Sequence, residues 1–151
     1  MSHDRSNMTD ISIEDLIPHR GGMKLIDEII EVDENKAVTR AVVAEAWPLF
    51  DGKAVNPMVL IELVAQTAGV CNGFERIKTL GMDSEKKGWL VGIKKSSFFI
   101  DSIPLNTQII TSCKDIFKYE KYREILGVSR IGQDIVGEVS LQVFQPETDE
   151  S

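Results

Sequence analysis

The sequence predicts an α+β domain in which one long antiparallel sheet wraps around a single buried helix. Three observations predict it. The segment 58–78 reads as a helix that is apolar on every side. Strand-like runs lie on both sides of it along the chain, two before and four after. The last three of those runs are joined by short polar turns, as in an antiparallel meander.

The central helix carries the prediction. Asn56–Pro57 supply an N-cap and a first-turn proline, and no proline follows until Pro104. Val59, Leu60, Ile61, Leu63, Val64, Ala65, Ala68 and Val70 cover all sides of the first three turns. Such a helix belongs in a membrane or at the centre of a core. Its apolar part covers only about 14 residues, short of the roughly 20 that a bilayer needs, so it is a core helix. Ala65, Gly69 and Gly73 recur at every fourth position and make a smooth face for another backbone. Glycine costs a helix about 1 kcal/mol, which close packing would offset.

The other elements follow in order. Residues 12–17 (SIEDLI) read as a short helix with Ser12 as N-cap and acids in the first turn, ended by Pro18. A Pro-His-Arg-Gly-Gly turn leads to runs 24–32 and 36–43, separated by Asp-Glu-Asn, which read as a β-hairpin. Residues 47–57 form a loop punctuated by Pro48, Gly52 and Pro57. Later strands are expected at 89–99, 107–117, 122–129 and 135–144. A chain of 151 residues fits one domain. It is expected over 11–146, with flexible ends at 1–10 and 147–151.

Composition narrows the function classes. A net charge of −7 disfavours nucleic acid and anionic membrane surfaces as partners. Lys86–Lys87 and Lys94–Lys95 are the local basic pairs that could receive an acidic carrier protein, although a solvated strand end is the commoner reason for such pairs. Cys71 and Cys113 sit in apolar runs and read as reduced, buried thiols. No Gly-rich phosphate loop, nucleophile elbow or metal-ligand spacing is present, and no cofactor is expected. The first ten residues lack the apolar stretch of a secretory signal, so a cytoplasmic protein is expected.

Glu62 is the candidate for chemistry. It is an acid alone inside VLIELVAQ, and a carboxylate in an apolar wall must be paired, hydrogen-bonded or perturbed. Gln66 lies one turn on and could orient it. A locally exposed patch or a strand lysine is the plainer account of Glu62. His19, in its Pro-His-Arg turn, reads as structural. Asp51 is an ordinary turn residue unless the fold places it beside Glu62.

Three stretches then carry a resemblance. IEDLIPHRGGMKLIDEIIEVDENKAV, LFDGKAVNPMVLIELVAQTAGV and VGIKKSSFFIDSIPLNTQI resemble, in order and spacing, three motifs of the β-hydroxyacyl-acyl-carrier-protein dehydratases, from about residue 12 to 145. The resemblance implies the hotdog fold, usually dimeric through sheets joined edge to edge, with the acyl chain in a tunnel along the interface. It places the family's catalytic carboxylate at Glu62 and implies substrate contacts from Gln66, Asn56 and Met58. The partner it implies is an acyl-carrier protein or a CoA thioester. The oligomer would be a homodimer, or a heterodimer with a homologous dehydratase.

The family's catalytic histidine has no counterpart, because its place falls at or near Pro48 and the loop WPLFDGKAV holds no histidine. A family glycine at the helix start is replaced by Pro57 or Met58. A divergent branch of the family also lacks the histidine, and this chain is similar to that branch. Dehydration of a 3-hydroxyacyl thioester would then rest on Glu62, with Asp51 as a second acid/base. A hotdog acyl-thioesterase and a non-catalytic acyl-binding subunit are the alternatives.

Overall fold

The computed structural model describes residues 12–17, 23–81 and 90–144. The Pro-His-Arg turn with His19, the Lys86–Lys87 pair and both chain ends lie outside the described residues.

A short helix α1 (Ile13–Leu16) precedes the hairpin β1 (Glu28–Val32) and β2 (Lys36–Val42). A two-residue strand β3 (Ala54–Val55) leads to the core helix α2 (Val59–Leu80). Then come β4 (Leu90–Phe98), β5 (Ile103–Pro104), β6 (Gln108–Tyr119), β7 (Tyr122–Ile131) and β8 (Asp134–Phe144). Six strands form one antiparallel sheet in the order β1-β2-β6-β7-β8-β4, and β3 pairs with β5 in a separate two-stranded sheet. The sheet wraps α2, which packs on β1, β2, β6, β7 and β8. This is the expected hotdog fold.

The meander β6–β7–β8 turns through two-residue connections in which Glu120 (φ 53°) and Gly132 (φ 61°) take the left-handed backbone. That conformation matches the right-handed twist of the flanking strands. Alternation along β7 buries Arg123, Ile125, Gly127 and Ser129 on the inner face. Gly127 sits directly under Val64, and a Cβ on Gly137 would come within 2.6 Å of Leu60 Cδ1. The helix can lie that close because neither position carries a side chain.

The smooth face of α2 receives α1. Ile17 rests on Gly69, and the backbone of Leu16 lies against Gly73.

Several boundaries differ from expectation, each for a physical reason. The first strand starts at Glu28 rather than at 24, because the Leu25 N–H goes to the Gln66 side chain rather than to a neighbouring strand. The 47–57 loop contains β3, whose partner lies some 50 residues on. β6 runs to Tyr119 through a bulge between Asp115 and Phe117. The strand after α2 pairs with β8, the last strand, and so stands at the sheet edge.

Candidate active site

α2 opens on a turn in which every backbone donor is committed. Asn56 Oδ1 accepts the Met58 N–H at 2.9 Å, and its carbonyl accepts the Val59 N–H at 3.0 Å. The Leu60 and Ile61 N–H groups bond to the carbonyls of Pro57 and Met58. Pro57 has no N–H to give. A thioester oxygen at this helix start would therefore have to displace Asn56 from Met58. Met58 itself is exposed, its side chain free to meet a ligand.

Glu62 lies in the first turns of α2, partly buried, between the buried Leu60 and Leu63. Its Oε2 accepts a hydrogen bond from Gln66 Nε2 at 2.9 Å. Gln66 is 0% exposed, and its amide is used in full. Nε2 also donates to the Met23 carbonyl at 2.7 Å, and Oε1 accepts the Leu25 N–H at 2.9 Å. The i, i+4 spacing that places the two side chains on one helix face is satisfied by a direct contact.

Beside Glu62, Ile61 and Ala65 pack against an apolar layer formed by Val139, Leu141 and Val143 of β8. Those residues continue across the sheet onto β4, where Val91 pairs with Val143 and Ile93 with Leu141. Val91 and Ile93 share the inner face with their partners yet remain 49% and 54% exposed. An open apolar strip thus runs along the edge strand, next to the helix that bears Glu62. Lys94, in the same strand, pairs with Glu124 at 3.0 Å.

The loop before α2 holds the other expected acid. Asp51 Oδ1 accepts the N–H groups of Lys53 and Ala54, both at 2.9 Å. Those two bonds, that from Ala54 first, hold its carboxyl below the ordinary range and favour the charged form. Asp51 is exposed and ties its own turn. Pro48 and Leu49, the place at which the resemblance leads one to expect the family's histidine, are exposed, and Leu49 holds a left-handed φ of 65°.

A second polar cluster escaped the sequence reading. Arg123 donates to Asn72 Oδ1 at 2.7 Å and to Glu75 Oε1 at 2.8 Å, and lies 3.5 Å from Asp115 Oδ2. Burial pushes the Asp115 carboxyl up, against the opposing charges of Arg123 and Lys118. Strand alternation was the available signal, since Arg123 occupies the same inner face as Ile125. Asn72 stands ten residues beyond Glu62, about 15 Å along the helix, so this cluster pins the far half of α2 to β6 and β7. Among the described residues, no three His, Cys, Asp or Glu side chains gather as metal ligands, and no helix is long and apolar enough to cross a membrane.

Comparison with known proteins agrees with this geometry. A family model described as ApeP-like, ApeP dehydratase, matches residues 11–151. The 3-hydroxyacyl-acyl-carrier-protein dehydratase FabZ of Streptococcus sanguinis is 34% identical over 142 residues, covering 88% of this chain and 92% of that protein. FabZ of Streptococcus uberis is 38% identical over 114 residues, 70% of this chain and 76% of its own. Among solved structures, the dehydratase heterocomplex ApeI:P from Xenorhabdus doucetiae superimposes with a TM-score of 0.75 at 19% identity, over 91% of this chain and 92% of that one. An HP0420 homologue from Helicobacter felis gives 0.70 at 18% identity, over 95% and 93%. The structural likenesses establish the fold, and the sequence matches establish more: the chain belongs to the ApeP-like dehydratase family, hydro-lyases on the hotdog fold.

Proposed function

We propose that this dehydratase-like protein removes water from a 3-hydroxyacyl chain carried as a thioester on an acyl-carrier protein, with Glu62 as an acid/base. One observation carries the reading: a carboxylate seated in an otherwise apolar stretch of the core helix and held there by a buried amide. The reaction needs a base for the α-proton and an acid for the departing hydroxyl. Glu62 supplies one of these. On this chain's own loop, Pro48 and Leu49 cannot titrate, and Asp51 is engaged with its own turn.

The second group is then best supplied by another subunit. The uncovered apolar face of β4 favours a dimer joined at that edge, since exposed edges and apolar strips call for a partner. A homodimer would cover the strip. A heterodimer with a histidine-bearing homologue would cover it and also complete the acid–base pair, and the ApeI:P protein is itself a heterocomplex by name. We therefore expect the heterodimer to turn over fastest.

Product identification tests the reading. The chain is assayed alone and after co-expression with a histidine-bearing homologous dehydratase, on 3-hydroxyacyl-carrier protein and on the CoA thioester. The expected product is the 2-enoyl thioester, formed faster by the pair than by the homologue alone. Free thiol instead would indicate a thioesterase, and no effect of this chain on the rate would overturn the proposal.

A further inference from the structure

We propose that Gln66 is a positioning residue, acting on the reaction through Glu62 rather than by touching the substrate. This rests on the dehydratase reading of Glu62. Gln66 is fully buried and so presents no surface to a ligand. Its amide makes three contacts of different kinds: the Glu62 carboxylate, the Met23 carbonyl and the Leu25 N–H. The two backbone contacts fix which end of the amide is oxygen. Leu25 can only donate to Oε1, and Met23 can only accept from Nε2. The remaining Nε2 hydrogen must then point at Glu62, so the amide cannot flip without breaking all three bonds.

The consequence for Glu62 is geometric and electrostatic. A donor held in place from behind fixes the rotamer of the carboxylate, and a fixed rotamer is what general acid–base transfer over about 3 Å requires. The contact also ties the reacting turn of α2 to the segment 23–26, whose Leu25 and Ile26 are sealed in the core. Glu62 is thereby referenced to the body of the domain and not to its own helix alone. Residues 24–27 forgo strand pairing at Leu25 to make this tie.

Two variants separate this role from others. Gln66→Leu removes all three polar contacts. Gln66→Glu keeps an acceptor for the Leu25 N–H but loses both donors and sets a like charge beside Glu62. In the active complex, both should lower kcat by about ten- to hundredfold, with KM nearly unchanged. Gln66→Glu should recover, relative to the unsubstituted protein, as pH falls and its carboxyl gains a proton it can donate. A purely structural role would lower activity only in step with the melting temperature and show no such recovery; that result would overturn the proposal. So would a raised KM with unchanged kcat, the mark of direct substrate contact, or an unchanged kcat in either folded variant. Glu62→Gln, assayed in parallel, keeps the two claims apart. If it alone loses activity, the role of Gln66 fails while that of Glu62 stands; if it retains activity, the reading of Glu62 fails.

Discussion

Gly69 and Gly73 lie one turn apart on the same face of α2, and the structure predicts opposite outcomes when each becomes alanine. In an unobstructed helix either change should stabilise by about 1 kcal/mol, through helix preference alone. At 73 the new methyl would lie 2.8 Å from the Cα and 2.9 Å from the carbonyl carbon of Leu16, and nearer still to its carbonyl oxygen. Those atoms are backbone, so α1 must move as a unit. Overpacking of that kind costs about 1–3 kcal/mol and outweighs the helix gain, for a net loss of up to about 2 kcal/mol. At 69 the only close atom among the described residues is Ile17 Cγ2 at 3.1 Å, a methyl that can give by a few tenths of an ångström. Gly69→Ala should therefore be neutral or mildly stabilising. Thermal unfolding followed by circular dichroism should show Gly73→Ala melting roughly 2–8 °C lower and Gly69→Ala at or above the parent. A Gly73→Ala protein as stable as the parent, or equal losses at both sites, would refute the claim that α1 backbone seats on this face.

Two further predictions concern buried ionisable groups. Asp115 has its folded-state pKa raised by burial above the unfolded value of 3.8, so the folded protein binds that proton more tightly and gains stability as pH falls from neutral toward 3.8. Asp115→Asn should raise the melting temperature at pH 7 and flatten its rise toward acid, because Arg123 keeps Asn72 and Glu75 as partners. A variant less stable at pH 7 with the same pH slope would contradict this. Cys71, its thiol pushed up to about 12 by burial and then by the nearby Asp115 charge, and Cys113, raised by burial, should both resist thiol reagents at pH 8 until the protein unfolds. Rapid labelling of either in native protein would count against the packing of α2 on β6.

The parts of this fold that are local in sequence were legible, and the parts that depend on distant pairing were not. The core helix declares itself because eight apolar residues close its whole circumference, and the meander because short polar turns separate its strands. That β4 pairs with β8 could not be read, since some 35 residues and three other strands, β5, β6 and β7, intervene. The β3–β5 pair is two residues long on each side and leaves no periodicity to detect. At the site, Glu62 stood out by its chemistry, and the i, i+4 rule pointed to Gln66. The partners Met23 and Leu25 were hidden because they are backbone atoms 43 and 41 residues away. Arg123 was passed over because charge suggests solvent, although its place in the strand alternation put it inside.

The central claim is that the Glu62 carboxylate performs acid–base work in dehydration, and Glu62→Gln tests it most directly. The substitution keeps the size of the side chain and leaves an oxygen to accept from Gln66, so the fold should persist, with a melting temperature within a few degrees of the parent. In complex with a histidine-bearing homologue, with the partner's own carboxylate silenced by the corresponding change, the rate of 2-enoyl thioester formation should fall at least about 100-fold. Undiminished product formation by that folded complex would contradict the account and leave Glu62 a structural residue.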